Sequence, residues 1–477
     1  MEGQGLMLKS LHNVHLMGIG GAGMSGLARL LHEMGFAVSG CDVTSTSYVE
    51  RVLERGIPVS LGHSADHLEN YGVELLVYSS AIAPTNLELL TARERGIAVA
   101  RRAEILSMLF NERQGIGIAG THGKTTTSSM IGLILETADL SPTLAIGGEL
   151  CDIGGNAKLG GGACMVAELD ESDGSFELFH CQMAVVTNVD WDHVDHYPNL
   201  DSVKDAFVRF LGHVKPEGIS VLCAEDPGVA AILPHVKGKN ILTYGWGKGW
   251  NWGATHVHHI QGGGVSFIAH KNGVPMGDIV LGLSGEHNVL NALSACAVAD
   301  TLGIPFAVTK KALRVFRGAK RRLQYVGSIG DVQIYDDYGH HPNEIAATLR
   351  AVRSIFPGHR LIAIFQPHRY TRTAAMFGDF AKVLPLADEV FLLPIYPADE
   401  EQTDGVSSVL IADAMECEGH ACHFCQNMKD VQKQITALVR SGDVILTIGA
   451  GNVCLLGPRL LQALREGVFE NAMVVGA

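Results

Sequence analysis

Positive charge is in short supply along this chain: 36 lysines and arginines face 50 aspartates and glutamates, a formal net charge of −14. That balance argues against a nucleic-acid or anionic-membrane surface as the main partner, since both demand basic patches. No basic stretch followed by an apolar run opens the chain, so no secretory leader is expected. No uninterrupted apolar run suits a membrane span either, and no membrane insertion is expected. The most apolar early stretch, Val14 to Phe36, is broken by glycines, Arg29, His32 and Glu33. Ten cysteines scattered over 477 residues lack the framework of a small disulfide-stapled domain, which points to reduced thiols and a cytoplasmic enzyme. Residue-level repeats, low-complexity tracts and coiled-coil heptads are also missing.

What the chain does have is length for two to four domains, 47% hydrophobic residues and 56 glycines. Apolar strands alternate with helical stretches and tight glycine turns, so the fold class expected is α/β. A first unit starts with the strand Val14–Met17, a glycine loop, a helix near Met24–Met34 and the strand Ala37–Cys41. A second unit restarts at the strand Gly115–Ala119, followed by another glycine loop. A third contains strands at Val332–Tyr335, Leu361–Phe365, Val390–Leu393 and Val444–Ile448. The boundaries expected are 1–112, 113–322 and 323–477.

Gly18-Ile19-Gly20-Gly21-Ala22-Gly23 fits the G-x-G-x-x-G pattern between a strand and a helix. Gly18, Gly20, Gly21 and Gly23 allow a tight turn and bring backbone N–H groups to a diphosphate at a helix N-terminus. Asp42, at the end of the next strand, is placed to accept from a ribose hydroxyl. NAD and a UDP-sugar offer the same two features, so this loop alone leaves a dehydrogenase open.

The second loop, Gly120-Thr121-His122-Gly123-Lys124-Thr125-Thr126-Thr127, departs from the strict phosphate-loop pattern because Ile118 stands where the first glycine belongs. Gly-Lys-Thr at a strand-to-helix junction still wraps amides around phosphates, puts Lys124 on the β/γ oxygens and offers Thr125 to Mg²⁺. Two acidic stretches follow apolar strands, Glu168–Asp173 and Asp190–Asp195. Their carboxylates and His193 suit Mg²⁺ bridging the phosphates of ATP and an incoming carboxylate. One loop for a nucleotide diphosphate and another for a triphosphate point to a kinase or a ligase.

The Gly-Thr-His-Gly-Lys-Thr-Thr-Thr loop, Asp170–Phe176, Thr187–Tyr197, Gly285–Asn291, Asp336–Pro342 and Phe365–Thr373 together resemble, in order, the motifs of the Mur ligases. The resemblance covers essentially the whole chain and is nearest to the alanine-adding members. It implies three domains: a Rossmann-like UDP-binding domain, a central P-loop ATPase-like domain and a C-terminal Rossmann-like domain that closes over the site. It further implies ATP and Mg²⁺ as cofactors, with UDP-N-acetylmuramate and L-alanine as substrates joined through an acyl phosphate.

By position, the resemblance implies that the UDP-sugar diphosphate lies on Gly18–Gly23. Thr125, Glu171 and His193 would serve magnesium, and Lys124 the transferring phosphate. Gly120, Thr121, His122, Gly123 and Thr126 would line the ATP phosphates. His287, Asn288 and Asn291 would lie near the adenine, with Arg322 and Asp337 bringing the third domain onto the phosphate and ribose sides. Tyr338, His340, His368, Arg369 and Arg372 match the region of the alanine and the reacting carboxylate. Other Mur ligases carry a carbamylated lysine in the stretch that here reads Ala206-Phe207-Val208, so none is expected. A peptide-adding relative that recycles wall fragments is the nearest rival, but it differs at 365–373. Cys417, His420, Cys422, His423 and Cys425 fall within nine residues, without the paired hooks of a zinc site.

Overall fold

The computed structural model describes residues 8, 11–150, 155–236, 240–260, 263–398 and 400–475. Most of the opening residues, on which the expectation of no leader rests, lie outside this set. Three sheets organise the chain. The first holds β1 (Asn13–Met17), β2 (Ala37–Asp42), β3 (Val59–Leu61), β4 (Leu75–Tyr78) and β5 (Ala98–Arg101), all parallel, in the order β3-β2-β1-β4-β5. Strand order reverses at β1, so the glycine loop that follows it opens into the crevice where such sheets bind ligands. The helix Ala22–Glu33 leaves this loop and buries Met24, Leu27, Ala28, Leu30 and Leu31, a stripe at helical spacing.

The second sheet comprises β6 (Gln114–Ala119), β7 (Thr143–Leu150), β8 (Gly155–Lys158), β9 (Cys164–Glu168), β10 (Met183–Val186), β11 (Ile219–Cys223), β12 (Asn240–Trp246), β13 (Trp252–His259), β14 (Val265–Lys271) and β15 (Val274–Leu281). Its order is β15-β14-β13-β12-β11-β10-β6-β9-β7-β8. β6, β9 and β10 are covered on both faces, which is why β9 and β10 are almost wholly apolar in sequence. Because β6 lies between β10 and β9, the loops after all three end side by side. The helix Lys124–Thr137 buries ten of its residues under the helix Glu286–Thr301. β13 to β15 form an antiparallel extension with a register shift between Thr255 and His258. Exposed polar residues and histidines interrupt its alternation, so no local pattern marks it in the sequence.

The third sheet contains β16 (Gln324–Ile329), β17 (Val332–Asp337), β18 (Leu361–Phe365), β19 (Glu389–Leu392), β20 (His423–Phe424) and β21 (Val444–Ile448), in the order β16-β17-β21-β18-β19-β20. Only β16 runs antiparallel. The loops after β17 and β18 therefore flank the end of β21 and face the second sheet. Among the described residues, no helix is long and apolar enough to cross a membrane, and all nine described cysteines are free thiols.

Candidate active site

The phosphate loop owes its shape to two glycines in conformations that side chains rarely adopt, Gly120 at φ +133° and Gly123 at φ +81°. A Cβ on Gly120 would also stand 2.1 Å from Thr187 Oγ1, so the loop can pack this way only without one. At the start of the following helix, the Lys124 ammonium donates to both oxygens of Glu171 at 2.9 and 2.8 Å. It also donates to the carbonyls of Gly120 and Thr121. Burial works against that charge, but Glu171, Asp170 and Glu168 together raise the lysine above its ordinary value. Thr125 Oγ1 donates to Glu168 Oε2 at 2.9 Å, and His193 Nε2 lies 3.6 Å from Glu171 Oε1. Carboxylates, a hydroxyl and one imidazole thus converge beside the loop, a hard donor set of the kind Mg²⁺ takes. His193 approaches Glu171, while Thr125 contacts Glu168. Glu168 belongs to the acidic stretch read from the sequence, and the adjacency of β6 and β9 is what brings it to Thr125.

A cavity of about 320 Å³ runs from the phosphate loop to the third sheet. His122, Gly123 and Thr126 line one end, His287, Asn288 and Asn291 one wall, and Arg322 and Asp337 the other. All eight were expected around ATP, although they come from four separate stretches of sequence. Asp337 is locked by the amides of Leu323 and Gly339, at 2.7 and 2.8 Å, and by Thr348 Oγ1. Burial raises its carboxyl despite the nearby Arg322 charge. Burial also lowers His287 to about 4, so its ring is neutral.

Several cavity residues were missed by the sequence reading. Asn343 and Glu344 open the helix Pro342–Ile355, and both reach the second sheet's loops. Asn343 Nδ2 donates to Asp190 Oδ2 at 2.5 Å, while Glu344 Oε1 lies 3.4 Å from His122 Nδ1 and 3.5 Å from Arg322 Nη1. His122 is half-buried, which disfavours its charge, yet its bonds to Asp190 and Glu344 lift it to about 9. These ties hold the third sheet's helix directly against the phosphate loop. The Asp336–Pro342 motif adjoined this segment, and its capping pattern was the available signal.

His340, His368, Arg369 and Arg372 gather at the next corner. Burial pushes His340 and His368 to about 3, with Arg372 adding to the effect on each, so both rings are neutral. Their rings lie 5.9 Å apart, and His340 Nε2 is 3.9 Å from Asp192 Oδ2. The Arg372 fork is filled by Asp192, through Nε at 2.9 Å and Nη2 at 3.1 Å. Arg369 is more open, at 3.5 Å from Asp195 and 3.9 Å from Glu400. Tyr338 lies beneath the guanidinium groups of Arg321 and Arg322.

In the first sheet, Gly18 turns at φ +76°, and a Cβ on Gly20 would stand 2.8 Å from Asp42 Oδ2. Asp42 Oδ2 accepts from the Gly20 amide at 2.8 Å, and Oδ1 accepts from the Thr44 amide. The carboxylate therefore braces the loop itself. Gly21 is open, and Gly23 faces Arg102, whose guanidinium would be 3.1 Å from an added Cβ. Arg102 also lowers the Asp170 carboxyl, so it lies between the first glycine loop and the acidic stretch after β9, and no motif marks it. Ala206 and Phe207 fill the core, while Lys204 pairs with Asp201 on the surface. Of the cysteines near the C-terminus, Cys417 is exposed and Cys425 buried, and they belong to no cluster of metal-binding geometry among the described residues.

Two glycine loops, an acidic cluster beside Lys124 and a third α/β unit docked over the shared cavity form the arrangement of a ligase of the Mur type. The chain belongs to the Mur ligase family: residues 13–114 match the family's catalytic domain, 118–299 its middle domain and 321–451 its glutamate ligase domain. It is 43% identical over 452 residues to the UDP-N-acetylmuramate–L-alanine ligase of Sorangium cellulosum, covering 94% of this chain and 96% of that protein. The enzyme of the same name from Geotalea daltonii is 42% identical, over 96% of this chain and all of its own length. The crystal structure of UDP-N-acetylmuramate–alanine ligase from Thermotoga maritima superposes with a TM-score of 0.81 at 29% identity, covering 95% and 99% of the two chains.

Proposed function

We propose that this chain joins L-alanine to the lactyl carboxylate of UDP-N-acetylmuramate, with ATP converted to ADP and phosphate, in the cytoplasmic stage of peptidoglycan synthesis. The observation that carries the reading is the nucleotide cavity shared by the phosphate loop and the third unit, joined through His122, Glu344 and Arg322. The division at 1–112, 113–322 and 323–477 belongs to this reading. The first domain holds the UDP-sugar on Gly18–Gly23, the second the ATP phosphates, and the third closes the site.

A carboxylate resists attack by an amine until one oxygen becomes a leaving group, and phosphoryl transfer makes it one. The oxygens of carboxylate and ATP repel each other, so cations must offset that charge. Lys124 is the protein's own cation at this point. It has to leave Glu171 to follow the phosphate, which frees that carboxylate. Thr125, Glu168, Glu171 and His193 are the residues that would hold Mg²⁺, which supplies charge neutralisation when bound. Arg322 and Asp337 take the phosphate and ribose sides of ATP, and Asn291 with His287 and Asn288 the adenine side.

Alanine's carboxylate needs a planar two-point cation. Since Arg372 is committed to Asp192, Arg369 is the better placed for that contact, with Arg372 holding the corner in shape. The ammonium of alanine must lose a proton before attack. His340 and His368 are neutral and near, but burial makes them weak bases, so a bound carboxylate has to raise one of them for it to accept that proton. Docking of the third domain excludes the water that would hydrolyse an acyl phosphate.

The test is to supply ATP, Mg²⁺ and UDP-N-acetylmuramate with each amino acid, or with the wall tripeptide, and to weigh the products. The expected product gains one alanine with matching phosphate release. Product formed with the tripeptide but not with alanine would assign the chain to wall recycling, and no product with any amine would remove the ligase reading.

A further inference from the structure

Beside the first glycine loop, four side chains of metal-ligand type meet inside the first unit. His15 comes from β1, Cys41 from β2, His67 from the helix Asp66–Asn70 and Glu88 from the helix Leu87–Glu94. All four are buried, and one donor atom from each lies within 4.8 Å of every other. His15 Nε2 and His67 Nδ1 both stand 3.2 Å from Glu88 Oε1, and Cys41 Sγ stands 3.5 Å from Glu88 Oε2. We propose that His15, Cys41, His67 and Glu88 form a structural Zn²⁺ site that ties the two helices to the sheet.

The spacing fits the ion. Zinc bonds of about 2.0–2.3 Å to nitrogen, oxygen and sulfur put tetrahedral ligand atoms about 3.3–3.7 Å apart. The contacts of His15 and His67 with Glu88 Oε1 and of Cys41 with Oε2 fall at or close to that range, and the remaining pairs lie within 4.8 Å. Two imidazoles, one thiolate and one carboxylate also match the mixed N/S/O sets that zinc accepts in closed four-coordinate sites.

A cluster held only by hydrogen bonds is the alternative, and one atom argues against it. Among the described residues, His15 Nε2 is fully buried without an aligned hydrogen bond, although Glu88 Oε1 stands 3.2 Å away. Buried polar atoms without partners are rare, and this one faces the centre of the cluster. The other ring nitrogen, Nδ1, is 2.8 Å from Ser39 Oγ, the kind of outer contact that orients a ligating histidine. Glu88 Oε2 is likewise held by the Ser64 amide at 3.1 Å.

The surroundings suit a structural ion rather than a catalytic one. Tyr71 stacks on His15, and Met17, Leu68, Leu76 and Leu89 form a dry wall. Burial keeps the His15 ring below its ordinary value, hence neutral, and raises the Cys41 thiol, so metal entry must expel the thiol proton. The partly exposed His63, with Nδ1 3.2 Å from Cys41 Sγ, stands at the lip and offers the way in. The Cys41 carbonyl accepts from the amides of Gly18 and Ile19, so an ion on Cys41 would also steady the first glycine loop.

The experiment uses the full chain, purified without a histidine tag. Elemental analysis after zinc-supplemented expression should find about one Zn per chain, and the chelator-treated protein should melt at a lower temperature and recover on adding Zn²⁺. Titrating Co²⁺ into the stripped protein should give tetrahedral d–d bands and a thiolate charge-transfer band that saturate together. Cys41→Ser should lose the charge-transfer band and weaken Zn²⁺ binding at least about tenfold. His193→Ala, at the ATP site, should keep both bands. If Cys41→Ser does not fold, His67→Gln at the most accessible ligand should show the same weakening. Absence of retained zinc together with absence of the cobalt bands, or a charge-transfer band that survives Cys41→Ser, overturns the proposal.

Discussion

Arg372 donates to both carboxylate oxygens of Asp192 across 180 positions of sequence, at 2.9 and 3.1 Å, with both side chains almost wholly buried. The pair joins the third unit to the loop after β10. Burial alone would raise the Asp192 carboxyl, but the guanidinium holds it well below the usual carboxylate range. Removing only Arg372 leaves a buried charge without its partner, a change that costs about 3–5 kcal/mol in comparable sites. Arg372→Ala should therefore loosen the docking of the third unit and nearly abolish ligation. Arg372→Met combined with Asp192→Leu should recover docking more fully than either single variant. Small-angle scattering reads the docking, and equal compaction in all variants would contradict this account.

Arg369 is predicted to behave differently, because its side chain is the more open of the two. Arg369→Lys keeps the charge and loses the planar fork, so KM for alanine should rise far more than KM for ATP or the sugar nucleotide. Alaninamide should be a poor substrate for the natural enzyme and should barely distinguish it from the variant. Steady-state kinetics with both amines decide this, and equal shifts in all three KM values would place the alanine carboxylate elsewhere.

Lys124→Ala should fold normally and lose at least ~100-fold in turnover, the usual consequence of deleting one preorganised charge-stabilising group. Circular dichroism checks the fold and phosphate release the rate. Near-normal activity in a folded variant would take the phosphate loop out of the mechanism.

Glu171→Gln and His193→Ala are each expected to raise the Mg²⁺ concentration needed for half-maximal activity at fixed ATP. Glu168→Gln should do the same, because Thr125 leans on that carboxylate. Superimposable Mg²⁺ titrations would make these groups structural.

Docking should also depend on pH through His122. Its docked value, about 9, lies above the ordinary 6.5, so the contribution is complete below about 6.5 and fades as pH rises through 9. Scattering of the nucleotide-free protein between pH 7 and 10 should show expansion on the alkaline side. His122→Gln should be flat over that window, and an equal expansion in the variant would assign the effect to another group.

The sequence by itself determined the family and the local shape of both glycine loops. Gly18, Gly120 and Gly123 sit where only glycine turns easily, and Lys124 and Thr125 follow a strand at a helix start, so short-range sterics wrote those sites into adjacent residues. The buried parallel strands were equally legible, because a strand covered on both faces must be apolar throughout. Tertiary structure alone decided which carboxylates share a space. Strand order sets Glu168 beside Thr125, docking sets Glu344 against His122 and Asp192 in the fork of Arg372, and Asp42 turns inward to brace Gly20. The antiparallel edge β13–β15 and the meeting of His15, Cys41, His67 and Glu88 were hidden for the same reason. Periodicity records which face of an element is buried, but partners tens or hundreds of residues apart leave no local mark, since their energy exists only once the chain has brought them together.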